Sequence, residues 1–208
     1  MPYFFSLKDM SLKRNKNGMI IVLKGETHKA KERRLKEGWF EKYAPVDKVG
    51  IDIGSSDDTI HPTFRRWDID LGDTDGTYLA GIEPESFYTV YASHILEHIK
   101  YPRAAIRRWY EVLKPSGHLI ILVPHRDLYE QKIELPSQWN GNHEHFWLPD
   151  EEDKSSFATL SLKKEVLKVI PDADIVSLRV LDEGYEPNSG PYNHPIGELS
   201  IEIIIKKR

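Results

Sequence analysis

The sequence lacks several features that would place it in a well-marked class. None of its 208 residues is cysteine, which excludes disulfide bonds and thiolate sites. No run approaches the ~18 apolar residues needed to span a bilayer. The first residues, 1–8, lack the apolar core of a signal peptide. We therefore expect a cytoplasmic protein without a membrane span.

An excess of positive charge is also lacking. The chain has 29 Lys and Arg against 33 Asp and Glu, which gives a net charge of -4. This balance does not indicate the excess of basic residues that typically binds a polynucleotide, so a nucleic-acid partner is disfavoured. Hydrophobic residues at 39% and charged residues at 30% are typical of a globular protein. The length predicts a single domain over residues 1–208.

The most informative stretch is a short apolar strand that enters a glycine-bearing acidic turn, residues 49–58 (VGIDIGSSDD). It has neither the G-x-G-x-x-G spacing of dinucleotide-binding turns nor the Gly-Lys-Ser/Thr ending of a phosphate loop. A buried parallel strand that ends in small residues can bring backbone amides close to a ligand. We expect a cofactor at this turn.

Hydrophobic patterning predicts further elements around this strand. Residues 1–26 are interpreted as an N-terminal appendage, and residues 55–64 form a connection too short for an ordinary crossover helix. In the last strand, alternation of apolar residues with Ser200 and Glu202 predicts one drier face. The predicted helices cover residues 28–43, a segment from Pro102 and a segment from Ser161, and the other predicted strands cover 64–70, 88–92, 118–123, 175–181 and 199–206.

Several motifs in consistent order then carry a resemblance to a known family. They are the Asp-x-Gly turn at Asp52, an acidic strand end at Asp68, the loop of Asp75, the sequence SHILEH over 93–98 and the sequence LKPSG over 113–117. Together they cover residues 48–125, and the sequence resembles the class I S-adenosylmethionine-dependent methyltransferases, including a bacterial subgroup often associated with polysaccharide or glycoconjugate biosynthesis. The resemblance implies an α/β fold with a doubly wound, mostly parallel Rossmann-like sheet, a C-terminal antiparallel strand and a shortened first crossover.

The resemblance also implies S-adenosylmethionine as cofactor and assigns residues to it. The turn holds the methionyl end, Asp68 or alternatively Asp70 accepts from the ribose hydroxyls, and Asp75 accepts from the adenine amino group. Ser56 departs from the family, which usually has a second glycine there. The cofactor-binding candidates are Asp52, Gly54, Ser55, Ser56, Asp68, Asp70, Asp75, Gly76, Ser93 and His94.

Residues 124–158 form a long connection rich in aromatic residues and histidine, which we interpret as a lid-like insertion. A hydroxyl acceptor needs its proton removed, and histidine is the usual base at neutral pH. Spacing does not choose among the catalytic candidates, which are His94, His125, His143 and His145.

No metal site is predicted in this insertion. The imidazoles of His143 and His145 would share a face on a strand, without an identified third ligand, and would point apart on a helix. Glu97 and His98 are interpreted as residues that orient their own loop.

Three functional hypotheses follow. The first is a methyltransferase that acts on a small molecule, a sugar or a glycoconjugate. The second is a binding protein of the same fold without catalytic activity. The third is a nucleotide-sugar or metal-dependent enzyme that uses the histidine-rich connection. The sequence does not predict the oligomeric state.

Overall fold

The computed structural model describes residues 11–14, 20–23, 30–56, 59–151, 153 and 155–208. No helix among these residues is long and apolar enough to cross a membrane. In chain order the elements are β1 (Ser11–Arg14), β2 (Ile20–Leu23), α1 (Lys31–Lys36), α2 (Trp39–Tyr43), β3 (Gly50–Ile53), β4 (Arg65–Trp67), β5 (Phe87–Ser93), α3 (Pro102–Glu111), β6 (Leu113–Pro124), β7 (Phe146–Leu148), β8 (Thr159–Ser161), α4 (Leu162–Val169), β9 (Asp174–Leu181) and β10 (Ser200–Lys206).

A six-stranded sheet in the order β4-β3-β5-β6-β10-β9 forms the centre of the fold. β3 pairs in parallel with β4 and β5, and β5 pairs in parallel with β6. β10 is antiparallel to both of its neighbours, β6 and β9. The predicted mostly parallel sheet with a C-terminal antiparallel strand is confirmed.

Helices and aromatic side chains cover both faces of this sheet. On one face, α3 and α4 bury Ile106, Trp109 and Val166 against alternate strand residues such as Ile121. On the other face, Trp39 and Tyr43 of α2 pack against Tyr91, Ile120 and Leu122. The alternation of Ile120, Ile121 and Leu122 between the two cores is the period-two pattern of a strand buried on both faces.

The predicted helix over residues 28–43 is interrupted. Gly38 adopts φ +63° between α1 and α2, a left-handed conformation that ends one helix before the next begins. As a result, Trp39 and Tyr43 are buried, whereas Leu35 is 55% exposed. The spacing of Leu35, Trp39, Phe40 and Tyr43 predicts one apolar face on a single helix, and this prediction was wrong for Leu35. Residues 28–29 lie outside the described part of the chain.

The prediction for the last strand also needs correction. Ser200 and Glu202, which were expected on a wetter face, are 3% and 0% exposed. β10 lies inside the sheet, where helices cover both faces, and Arg179 of β9 pairs with the Glu202 carboxylate at 2.8 Å. A charged neighbour, not solvent, accommodates this glutamate.

The connections differ in length and content. The described residues between β3 and β4 contain no helix, in agreement with the predicted shortened first crossover. Residues 125–158 contain a π-helical turn at Arg126–Glu130 and β7, which pairs in parallel with β8. The sequence did not predict this small sheet. Apart from the antiparallel pair β1 and β2, the predicted appendage lies outside the described residues, as do Asp57 and Asp58.

Candidate functional site

A cleft of about 250 Å³ opens at the carboxyl ends of β3 and β4. From β3 the chain passes to β4 on one side and later returns to β5 on the other. Such a reversal of strand order is where open α/β sheets bind their ligands. The lining residues are Ile53, Gly54, Trp67, Asp68, Ile69, Asp75, Gly76, Ile95, His98 and Ile99.

The glycine turn closes one side of this cleft. Gly54 has φ +74°, and a Cβ there would lie 3.0 Å from Cβ and Cγ1 of Ile95. Its N–H donates to the Trp67 carbonyl at 2.8 Å, which ties the end of β3 to β4. Ser56 also has a positive φ, +43°, and its N–H donates to Oδ2 of Asp68 at 2.8 Å. The turn thus adopts a glycine-like conformation at both positions.

Two carboxylates border the cleft. Asp68 accepts from Ser56 through Oδ2 and from the Asp70 N–H through Oδ1 at 2.9 Å. A carboxylate offers about four acceptor sites, so Asp68 keeps capacity for ligand hydroxyls. Asp75 accepts from the Thr77 N–H at 2.7 Å through Oδ1. Asp70 is exposed and does not line the cleft.

Gly76 allows the loop after β4 to approach the sheet. A Cβ at Gly76 would lie 2.9 Å from Cγ2 of Ile53, closer than side-chain atoms normally come. The Gly76 carbonyl accepts from the indole N–H of Trp109 at 2.8 Å. Asp75 and Gly76 both line the cleft as a result of this close approach.

Asp52 lies in β3 and Ser55 in the turn, and neither lines the cleft. Asp52 is 1% exposed, and its Oδ2 accepts from the Ile60 N–H at 2.7 Å. Ser55 is 7% exposed, and its Oγ makes no hydrogen bond within the described residues. Asp52 therefore ties the chain at Ile60 to β3.

Ser93 is the last residue of β5 and His94 follows it, and neither is among the residues that line the cleft. His94 adopts φ +53°, a strained conformation for a residue with a side chain. Its Nδ1 lies 3.0 Å from Ser93 Oγ, and its Nε2 lies 3.0 Å from Ser200 Oγ. Both ring nitrogens are therefore engaged by hydroxyl groups.

His125 and His145 have local structural contacts. Nδ1 of His125 accepts from the Asp127 N–H at 3.1 Å and caps the π-helical turn. Nε2 of His145 donates to the Lys100 carbonyl at 3.4 Å. Burial lowers the pKa of both imidazoles, so both are neutral at pH 7.

His143 is the candidate histidine that pairs with a carboxylate. Its Nδ1 lies 2.5 Å from Oε1 of Glu130, and the two side chains are 3% and 2% exposed. The Ser137 hydroxyl donates to the other oxygen of Glu130 at 2.5 Å. The pair joins the π-helical turn to the stretch before β7, a contact between residues 13 positions apart that no motif in the sequence indicated.

His143 also contacts a residue that lines the cleft. Its ring centroid lies 4.8 Å from that of His98. The Tyr129 ring lies 5.9 Å from that of His143, the His194 ring lies 5.3 Å from Tyr129, and the Trp139 ring lies 4.8 Å from His194. Burial lowers the pKa of His98, which favours its neutral form. A continuous series of rings thus leads away from the cleft.

The cleft fits the cofactor that the sequence resemblance implies. Asp68 has acceptor sites left for ribose hydroxyls, and Asp75 has a carboxylate oxygen without a hydrogen bond in the described part of the chain. Apolar side chains of Ile53, Ile69 and Ile99 can enclose an adenine ring.

Comparison with known proteins agrees with this fit. Residues 27–159 match a family model described as a methyltransferase domain. A structure of an S-adenosylmethionine-dependent methyltransferase from Archaeoglobus fulgidus is 17% identical, with a TM-score of 0.51 over 86% of this chain and 92% of that chain. A chain from a complex between the Haloferax volcanii Trm112 methyltransferase activator and a methyltransferase is 11% identical. Its TM-score is 0.52, over 88% of this chain and 93% of that chain.

At these identities, the two structures show the shared fold only. No curated protein matches the sequence. The family model itself covers more than half of the chain. The matched part includes the glycine turn, both cleft carboxylates and the Glu130–His143 pair. The chain therefore belongs to the methyltransferase domain family and is an S-adenosylmethionine-dependent methyltransferase.

Proposed function

We propose that the methyl acceptor is a hydroxyl group of a small molecule, a sugar or a glycoconjugate, and that it binds beside His98 and His143. The observation that carries this proposal is that His98 contacts both the cofactor cleft and His143. It lines the cofactor cleft and packs at 4.8 Å against His143, the histidine that is paired with Glu130. An acceptor at this pair would lie next to the bound cofactor.

The cofactor supplies an electrophilic methyl group on a sulfonium. An acceptor oxygen forms the new C–O bond while the C–S bond breaks and its electron pair stays on sulfur, so the hydroxyl proton must leave. The chain's own task is to orient the acceptor and to promote that proton loss. With Nδ1 of His143 directed at Glu130, its Nε2 is the nitrogen that remains for this task.

The insertion over residues 124–158 would cover the acceptor as a lid. It contributes Tyr129 and Trp139 to the series of rings beyond His143, and the loop before β10 contributes His194. Rings and a few polar groups are the usual lining of sites for small organic ligands. The net charge of -4 supports such an acceptor over a polynucleotide.

The test is transfer of a tritiated methyl group from S-adenosylmethionine to a panel of acceptors. The panel contains monosaccharides, oligosaccharides and nucleotide sugars, together with amines, RNA and protein. We expect label on hydroxyl-bearing small molecules or glycans. Label found on nitrogen acceptors, RNA or protein alone would contradict the proposal.

A variant links the transfer to the site. His143→Gln should lower kcat at least ~100-fold, the usual scale for loss of proton-transfer assistance. The affinity for S-adenosylhomocysteine should stay within twofold, because His143 does not line the cofactor cleft.

A further inference from the structure

Three side chains with metal-binding chemistry meet at the edge of the cofactor cleft. Glu97 and His98 follow β5, and His143 precedes β7. One potential ligand atom of each lies within 4.8 Å of those of the other two, and Nε2 of His98 lies 3.9 Å from Oε1 of Glu97. Glu97 and His143 are 1% and 6% exposed, whereas His98 is half-buried at the cleft.

Both imidazoles have Nδ1 directed at an oxygen acceptor. Nδ1 of His98 lies 3.1 Å from the Asn142 carbonyl, which can only accept, so Nδ1 carries the proton. Nδ1 of His143 lies 2.5 Å from Glu130 and donates to that carboxylate. In the neutral rings, each Nε2 then presents a lone pair. Metal-binding histidines are held in this way, by a carboxylate or a carbonyl on the nitrogen that does not bind the ion.

Backbone hydrogen bonds hold the two segments together. The Glu97 carbonyl accepts from the N–H groups of Glu144 at 2.8 Å and His145 at 3.3 Å. The Ser137 hydroxyl fixes Glu130, which in turn orients His143. The side chains therefore belong to a supported arrangement, not to a mobile surface cluster.

From this geometry we propose that Glu97, His98 and His143 bind a divalent transition-metal ion. Ligands ~2.1 Å from a tetrahedral ion lie ~3.4 Å apart, so the side chains need to close by roughly 0.5–1.5 Å on binding. Two imidazoles favour Zn²⁺ or Fe²⁺ over Mg²⁺, which prefers oxygen ligands. Three protein ligands leave open positions on the ion, as in catalytic sites.

The open positions would face the acceptor, since His98 lines the cleft. An ion there would bind an acceptor oxygen and lower the pKa of its hydroxyl, so that the proton leaves to solvent water in place of direct transfer to His143. This role rests on the proposed hydroxyl acceptor. The metal site itself does not, because binding of the ion can be measured without any acceptor.

The test uses the full chain, stripped of metal with a chelator and titrated with Co²⁺, whose visible absorption reports its coordination. We expect one equivalent of Co²⁺ to bind, Zn²⁺ to displace it and Mg²⁺ to fail at the same concentration. His98→Asn should weaken Co²⁺ binding at least tenfold, and Glu130→Gln should weaken it about 10–100-fold through its hold on His143. His145→Gln is the matched control and should leave the Co²⁺ affinity unchanged.

The outcomes separate the two proposals. Absence of Co²⁺ binding to the wild type, or equal binding by wild type and His98→Asn, would overturn the metal site. His98→Asn is the deciding variant because its half-buried ring can be replaced at lower risk to folding than Glu97 or His143. If the chelated protein methylates hydroxyl acceptors at the full rate, the role in acceptor activation is overturned. If Co²⁺ binds but no hydroxyl acceptor is methylated, the metal site stands and the proposed function fails.

Discussion

Positive φ angles occur directly after two neighbouring strands of the sheet, β3 and β5. Gly54 and Ser56 follow β3, and His94 follows β5. For Ser56 and His94 this left-handed backbone costs about 1–2 kcal/mol each. Such strain persists where surrounding contacts fix the chain, and it is common at ligand sites. The Ser56 N–H bond to Asp68 is one of these contacts.

Replacement of Gly54 tests how tightly the turn is built. Gly54→Ala adds a left-handed alanine and a Cβ 3.0 Å from Ile95, so we expect a loss of about 2–5 kcal/mol in unfolding free energy. Displacement of Ile95, which lines the cleft, should weaken binding of S-adenosylhomocysteine at least tenfold. Urea denaturation and calorimetric titration measure the two effects.

Gly81 provides the matched control. It has a similar φ, +80°, but no atom lies within 4 Å of a built Cβ. Gly81→Ala should cost ~1 kcal/mol or less, because a smaller unfolded-state entropy offsets part of the strain. Equal losses at the two positions would show that contact with Ile95 is unimportant.

Asp68 and Asp70 differ in position although the sequence offered both for the ribose. Asp68→Ala removes a carboxylate from the cleft and two hydrogen bonds from the turn, so we expect at least a tenfold loss of cofactor affinity. Asp70→Ala, at an exposed position, should change the affinity less than twofold. Calorimetry with S-adenosylhomocysteine on both variants decides, and a loss with Asp70→Ala alone would reverse the assignment.

The sequence left this choice open because it placed the strand end at residue 70, whereas β4 ends at Trp67. A shift of three residues at a strand end decides which acid reaches the cleft. The Asp68 carboxylate accepts hydrogen bonds from the Ser56 and Asp70 N–H groups, and these bonds fix the end of β4. The composition of residues 64–70 does not indicate the bond to Ser56.

At the scale of elements, apolar patterning predicted the strands of the central sheet and both long helices. It was less informative where one residue or a distant segment decides the outcome. The helix before β3 breaks at Gly38, and β7 depends on pairing with β8, which lies more than ten residues later. β10 carries a glutamate that patterning treats as solvent-facing, because the partner Arg179 lies on another strand.

In the candidate site, too, patterning did not predict contacts between distant segments. The motif over 93–98 predicted a functional loop after β5, but His143 meets it only through folding of residues 125–145. Spacing alone could not choose among four histidines, since the carboxylate that distinguishes His143 lies in an irregular turn.

β6 contains a buried histidine, His118, that makes the folded protein less stable as pH falls. His118 is 7% exposed and packs between Tyr43 and Tyr88. Burial, with help from the neighbouring Lys206 and Lys42, lowers its pKa to about 4. The unfolded chain takes up a proton near pH 6.5, so between pH 6.5 and 4 it binds more protons than the folded chain, and stability falls as pH falls.

We expect this histidine to cost about 2 kcal/mol of unfolding free energy at pH 5 relative to pH 7. His118→Phe keeps the ring packing and removes the titration. Urea denaturation at both pH values should therefore show a smaller acid loss for the variant by that amount. An identical loss in wild type and variant would contradict the assignment.

At the scale of the whole molecule, cofactor binding should raise the melting temperature, because the cleft is built from the ends of several strands and loops that unfolding separates. At a concentration 100 times its dissociation constant, a ligand adds about 2.7 kcal/mol. For a chain of this size, that corresponds to a rise of roughly 5–10 °C.

Thermal denaturation with and without S-adenosylhomocysteine measures this rise. Asp68→Ala, tested at the same ligand concentration, should show about half of it or less, because a tenfold weaker affinity lowers the stabilisation to about 1.4 kcal/mol. A full shift in that variant would mean that the ligand stabilises the protein from a different place.

The position of β10 has a consequence for synthesis. Residues 200–206 form an interior strand, and among the described strands β9 pairs with β10 alone. While residues 200–206 of a nascent chain are still inside the ribosome, one backbone edge of β6 is unpaired. β9 then has no strand to pair with. Final closure of the sheet must therefore wait until these residues leave the ribosome, and stalled products that end before them would be substrates for chaperones and proteases.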